Sequence, residues 1–130
     1  MRITHLTFAQ RVGVDDDGLL DLGGVFAGGI SAPSVDPGEG WAQPIVLGYD
    51  DAEPDTTVTV RLVLHRPDGG LHFRDLDVAT LSTDGPRAFV SMALPWEAIA
   101  AVPGRLRIDA LVLGSTAPAA TATLEVVHEA

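Results

Sequence analysis

The chain has 130 residues, a length that suits one domain with one hydrophobic core. Hydrophobic residues form 46 % of it and charged residues 20 %, which is the balance of a folded protein and excludes a disordered one. The net charge is -10, and a surface of that sign repels phosphate, so we expect neither a nucleic acid nor a membrane as a partner.

The residue types that the chain lacks exclude further chemistry. Without cysteine there is no disulfide and no thiolate metal site. All 8 basic residues are arginine, and without lysine there is no Schiff base, no pyridoxal phosphate anchor and no phosphate-loop lysine. No apolar run reaches the roughly 18 residues that span a bilayer, and the first residues lack the pattern of a secretory signal. We therefore expect a cytoplasmic protein.

Hydrophobic and polar residues alternate along most of the chain, which predicts β-strands. The predicted strands cover residues 2–12, 18–27, 42–49, 57–66, 70–80, 86–94, 104–113 and 120–128. Turn signals separate these runs at the spacing of an antiparallel sandwich. We predict a single all-β domain over residues 1–130, a two-sheet antiparallel sandwich of seven or eight strands with immunoglobulin-like connectivity.

The connections between the predicted strands have distinct signals. Gly23-Gly24 and Gly28-Gly29 predict bends in the second strand. Residues 31–40, SAPSVDPGEG, predict a surface loop or a strand crossover. Arg66-Pro67-Asp68-Gly69 fits a type I turn with a bulge between the fourth and fifth strands. PWEAIAA, residues 95–101, predicts about one helical turn, because proline suits the first helical position.

Two acidic clusters fall in predicted connections. They comprise Asp15, Asp16 and Asp17 in the first turn, and Asp50, Asp51 and Asp55 in YDDAEPDTT after the third strand. Calcium prefers six to eight oxygen ligands, so the clusters could form a site like that of C2-type domains if both loops lie at one end of the sandwich. Solvated turn aspartates that accept backbone hydrogen bonds are the alternative. We therefore expect no cofactor, with calcium as the possible exception.

The histidines that flank RPDGG are the other candidate metal ligands. A two-residue turn would place His65 directly across from His72, whereas the three-residue turn that proline favours sends the two rings to opposite faces. A metal-assisted hydrolase using either histidine is the enzymatic alternative. No serine lies in a G-x-S-x-G motif, and the glycine pairs do not form G-x-G-x-x-G. We therefore expect no enzyme and assign no catalytic residue.

Three segments carry a resemblance to a known family. They are MRITHLTFAQRVGVDDDGLLDLGG, VTVRLVLHRPDGG and PGRLRIDALVLG. Together they resemble a family of small uncharacterised bacterial β-sandwich proteins that is common in actinobacteria. The resemblance implies a standalone cytoplasmic sandwich with no established activity, and it supplies no catalytic residue.

Apolar residues on the second face of several predicted strands suggest an interface. They are Val63, Phe89, Leu111, Leu113 and Val127. Trp41 is either a core residue or an exposed interface anchor. We predict a non-enzymatic protein-binding or assembly module that acts through a sheet face, an edge strand or end loops, with another protein or a second copy as its partner.

Overall fold

The computed structural model describes residues 1–14, 16, 20–25, 28–50, 53, 55–79, 88–114 and 119–129. Over these ranges it is mostly β, with nine strands in two sheets and one short helix. The strands are β1 (Arg2–Val14), β2 (Leu20–Val25), β3 (Gly29–Ala32), β4 (Ala42–Asp50), β5 (Thr57–His65), β6 (Leu71–Ala79), β7 (Ala88–Pro95), β8 (Gly104–Val112) and β9 (Ala120–His128). The helix, α1 (Trp96–Ile99), follows β7 at the predicted position. No helix in the described ranges is long and apolar enough to cross a membrane.

The strands form a four-stranded sheet in the order β2-β1-β4-β7 and a five-stranded sheet in the order β3-β9-β8-β5-β6. Neighbouring strands are antiparallel except β3 and β9, which are parallel. The all-β class is therefore confirmed. The strand count and the purely antiparallel arrangement differ from the prediction, because the chain enters the five-stranded sheet once through a short parallel strand.

That parallel strand lies just after the run predicted as a single strand over residues 18–27. The run forms β2 in the four-stranded sheet, and the chain then crosses to the five-stranded sheet as β3. Gly28 has a φ of +145°, a backbone conformation that side chains disfavour, and it lies directly before β3. The Gly28-Gly29 pair thus marks a bend, at which the chain changes sheet, whereas Gly23 and Gly24 lie within β2. β3 also takes the first residues of the predicted 31–40 loop.

The β5–β6 hairpin has the predicted turn. The Gly69 N–H donates to the Arg66 carbonyl at 3.0 Å, the Arg66 N–H donates to the Gly70 carbonyl at 2.8 Å, and Gly69 has a φ of +89°. This three-residue turn pairs His65 with Leu71 and His72 with Leu64. The prediction that the two histidines lie on opposite faces is confirmed.

The hydrophobic core draws on the inward faces of both sheets and on α1. The largest side chains that are less than 2 % exposed are Ile45, Val46, Val60, Leu62, Leu64, Leu94, Leu106, Ile108, Leu124 and Val126. Trp41 packs partly buried against this cluster, so its ring contributes to the core. Since strand side chains alternate, the residues between the core positions of β5, β8 and β9 face away from it.

Candidate functional site

The surface of interest is the side of the five-stranded sheet that faces away from the core, which we call the outer face. Register pairing places on it alternate residues of four adjacent strands. These are Thr59, Arg61, Val63 and His65 of β5; Leu71, Phe73, Asp75 and Asp77 of β6; Arg105, Arg107, Asp109 and Leu111 of β8; and Thr121, Thr123, Glu125 and Val127 of β9. Hydrophobic and charged side chains therefore share one face.

A hydrogen-bonded network lies around Asp109, which is only 7 % exposed. The Thr121 hydroxyl donates to Oδ1 at 2.9 Å, and the His65 Nε2 lies 2.9 Å from Oδ2. The Arg107 Nε lies 3.5 Å from Oδ1. A buried carboxylate needs such partners because burial removes its hydration. The network therefore holds the His65 ring and the Arg107 side chain in place.

The same network limits what chemistry the face can perform. The Thr121 hydroxyl is already a donor to Asp109, so it is not activated by a histidine. Arg107 can only donate, and its Nη2 also lies 3.2 Å from the His65 Nε2. The arrangement is suited to positioning positive groups at a surface.

Beside the network lies an open depression of about 450 Å³, which we call the basic depression. Its lining residues are His65, Arg66, Pro67, Arg105, Arg107 and Thr123. It forms where the β5–β6 turn passes over the start of β8. A Cβ on Gly104 would come within 2.9 Å of the Pro67 Cβ, and Gly104 has a φ of +122°. Glycine at this position lets the turn approach β8 closely.

On one side the outer face ends at β6, the edge strand of the sheet within the described residues. Leu71 and Phe73 of this strand are each 54 % exposed. The Arg61 guanidinium lies 5.8 Å from the centre of the Phe73 ring, a distance at which a cation and a ring attract. Large apolar side chains thus stand next to a free sheet edge.

The carboxylates of β6 turn toward β5. Asp75 accepts two hydrogen bonds from Arg61, at 2.8 and 3.1 Å, and Asp77 accepts one from the Thr59 hydroxyl at 2.7 Å. The hydrogen bond from Arg61 holds the pKa of Asp75 below its ordinary value, and the same contact raises the pKa of Arg61. Both carboxylates therefore accept hydrogen bonds from the neighbouring strand of their own sheet.

The backbone N–H and C=O groups of β6 point alternately toward β5 and away from it, and the turn fixes which residues do which. Because the Arg66 N–H donates to the Gly70 carbonyl, that pair is a hydrogen-bonded one, and hydrogen-bonded pairs recur at every second position of an antiparallel ladder. Leu71 pairs with His65 at the next, non-hydrogen-bonded position. The N–H and C=O groups of Leu71, Phe73, Asp75 and Asp77 therefore point away from β5, toward the free edge.

No protein-family model matches the chain, and no curated protein matches it. The resemblance to small bacterial β-sandwich proteins stays a prediction. Function has to be inferred from the outer face.

Asp16 and Asp50, one described residue from each acidic cluster, lie at opposite ends of β1. Asp16 is exposed and follows the carboxyl end of β1, whereas Asp50 pairs with Arg2 at the beginning of the same strand. A strand of 13 residues spans about 40 Å. The condition for a shared calcium site is therefore not met between Asp16 and Asp50.

The individual acidic residues have other surroundings. Asp50 accepts hydrogen bonds from Arg2 at 2.7 and 2.8 Å, and this contact lowers its pKa. Asp55 is exposed with a φ of +56°. Asp15, Asp17 and Asp51 lie outside the described residues. Within the described ranges no three histidine or acidic side chains are grouped as a metal site.

The predicted interface residues are divided between several places. Val63 and Leu111 lie on the outer face, where Val63 is 8 % exposed, and Leu113 and Val127 are 55 % and 56 % exposed. Phe89 lies in β7, and its side chain is outside the described part of the chain. Sequence reasoning missed Leu71 and Phe73, which are as exposed as Leu113 and lie on the edge strand.

Proposed function

We propose that this chain is a non-enzymatic assembly module in which two copies pair through the free edges of β6. The observation that supports this most directly is the edge itself, where Leu71 and Phe73 are 54 % exposed and direct their backbone groups outward. Unpaired backbone donors and acceptors on an edge strand are a template for another strand. Pairing would extend the five-stranded sheet into that of the second copy.

The part of the edge nearest the turn has little of the usual protection against such pairing. Exposed charges commonly keep sheet edges apart. Here Asp75 is bound by Arg61 and Asp77 by Thr59, so both carboxylates are drawn toward β5. The part of β6 nearest the turn is left with Leu71 and Phe73.

The sequence of β6 suits a two-fold pairing centred on His72. In that register Leu71 of one copy lies opposite Phe73 of the other. The backbone N–H and C=O groups of both residues point toward the free edge, so the two strands can form hydrogen bonds there. Asp75 lies opposite Gly69, so no carboxylate faces another. A register centred on Asp75 would place that carboxylate against its own copy, which is unfavourable. A two-fold interface is self-complementary and closes as a dimer.

The net charge of the chain opposes dimerisation, and this makes the stability of the dimer depend on salt. Two copies of net charge -10 repel one another at low ionic strength. At physiological ionic strength, salt largely screens the repulsion between charges that are more than about 8 Å apart. Because the proposed contact is apolar and backbone-mediated, we expect the dimer to become stronger as salt rises.

Light scattering after size exclusion, over a range of protein and salt concentrations, tests the proposal. We expect a concentration-dependent dimer in the wild type and a monomer in Phe73→Lys and Leu71→Pro. The proline removes an outward N–H without breaking the ladder to β5. Val127→Lys is the matched control, since Val127 is exposed to the same degree on the same face but on β9, and it should still dimerise.

Two results would contradict the proposal. One is a wild type that stays monomeric at all concentrations. This includes the case in which the β6 edge binds a strand of another protein and not a second copy of the chain. The other is a dimer that persists in both β6 variants, which would place the interface elsewhere. Circular dichroism shows whether each variant keeps its β structure.

A further inference from the structure

We infer that the basic depression is a binding site for the phosphate or carboxylate group of a small organic ligand. The depression adjoins the start of β6, because its lining residue His65 pairs with Leu71, but the inference does not depend on assembly.

The first argument is the distribution of charge. Three of the 8 arginines of a chain with net charge -10 line this one depression: Arg66, Arg105 and Arg107. Arginine is the side chain best suited to phosphate and carboxylate groups, because its planar guanidinium can donate two parallel hydrogen bonds. On this acidic molecule the three guanidinium groups reduce the repulsion that an anion meets here.

The second argument is that the donors are available. Arg105 forms no hydrogen bond or ion pair with another described residue. Arg66 uses one N–H for the Glu97 carbonyl at 3.0 Å and keeps its others. The closest carboxylate contact of Arg107 is the 3.5 Å approach of its Nε to Asp109. Each guanidinium therefore has donors left for a ligand.

The third argument concerns the carboxylates nearby. Both oxygens of Asp109 are hydrogen-bonded, to Thr121 and to His65, and Asp68 accepts a hydrogen bond from the Gly70 N–H in the turn. Glu125 lies opposite Arg105 in the register, yet no ion pair joins the two in the described structure. Glu125 is thus the carboxylate opposite Arg105 that can compete with a bound anion, and Glu97, next to Arg66, is a second acidic residue nearby.

The size and lining indicate what the anionic group is attached to. A volume of about 450 Å³ lies within the range of small-molecule sites, about 300–1,000 Å³, and exceeds what a bare ion fills. The Pro67 ring offers an apolar wall and Thr123 a hydroxyl. A small organic anion fits this lining.

Titration of the full chain with phenyl phosphate, benzoate and benzyl alcohol, followed by amide NMR shifts, tests the inference. We expect at least one anion to bind with a Kd of about 1 mM or tighter and the alcohol not to bind. The shifts should centre on Arg66, Arg105, Arg107 and Thr123. Binding of phenyl phosphate alone assigns a phosphate site, and binding of benzoate alone assigns a carboxylate site. No binding of either anion at about 10 mM overturns the inference.

Variants separate a local site from a general charge effect. Arg105→Gln should weaken anion binding about tenfold or more, since a hydrogen bond to a charged group is lost. Arg11→Gln makes the same charge change on β1 of the other sheet and should leave the affinity within about twofold. Equal weakening by both variants would overturn the inference.

A carboxylate substitution gives an effect of the opposite sign. Glu125→Gln should tighten anion binding, whereas Glu39→Gln, in the segment between β3 and β4, should not. If both leave the affinity unchanged, Glu125 does not face the ligand and the proposed position of the site is wrong. Phe73→Lys should abolish dimerisation and preserve anion binding, so the two proposals can fail separately.

Discussion

The two faces of the five-stranded sheet are built from the same strands but stabilise the molecule differently. On the inner face Leu64 and Ile108 are fully buried among apolar side chains. On the outer face, one residue along each strand, His65 and Asp109 bind each other and neighbouring polar groups. Because side chains alternate along each strand, apolar residues on the inner face are buried and stabilise the fold. The polar groups on the outer face are held in fixed positions, where they can recognise a partner.

The inner face should be the more sensitive to truncation. Leu64→Ala removes a fully buried side chain, and we expect it to lower the free energy of unfolding by about 2–5 kcal/mol. Urea denaturation measures the change. Val127→Ala on the outer face is the control, and its exposed side chain should cost less than about 0.5 kcal/mol. Equal costs would mean that the two faces do not differ as described.

Substitutions in the Asp109 network should have the next largest effect on the free energy of unfolding. Asp109→Ala leaves the Thr121 hydroxyl and the His65 ring without their partner, and we expect a loss of about 1–3 kcal/mol in the free energy of unfolding. Asp109→Asn keeps one oxygen as acceptor and should cost less. If Asp109→Ala costs no more than Val127→Ala, the network does not contribute to stability, and the outer face is held only by the core beneath it.

The elements of the fold that follow from local chemistry could be predicted from the sequence. TVTVRLVLH alternates apart from Val63, so the sequence predicts correctly which of its residues face the core. The turn at residues 66–69 places His65 and His72 on opposite faces because proline and glycine favour that backbone. The change of sheet after β2 could not be predicted, since glycine pairs indicate a bend but not which sheet the chain joins next.

The candidate site depends on contacts that periodicity does not specify. In LHFRDLDVA the exposed apolar residues are Leu71 and Phe73, whereas Val78 is buried, so the apolar residues change face within one strand. Arg66 and Arg105 are far apart in sequence and meet only through the register of β5 with β8. The separation of Asp16 from Asp50 likewise depends on the path of β1 between them.

The smallest expected effect concerns His72, an exception on the inner side of β6. Its Nε2 is buried without a hydrogen-bond partner among the described residues. Burial lowers its pKa below the ordinary value of 6.5, and Arg66 and Arg74 lower it further, against an opposite effect of Glu97. The unfolded chain therefore takes up a proton at His72 before the folded chain does.

This difference makes the contribution of His72 to stability depend on pH. Above pH 6.5 the ring is neutral in both states and has no effect, whereas below it the free energy of unfolding falls as the pH drops through the lowered pKa. Urea denaturation across this range, in the Phe73→Lys background to exclude assembly, should show a shallower acid loss in His72→Gln and in His72→Leu. If both variants keep the slope of the parent, the His72 ring is as well solvated in the folded state as in the unfolded chain.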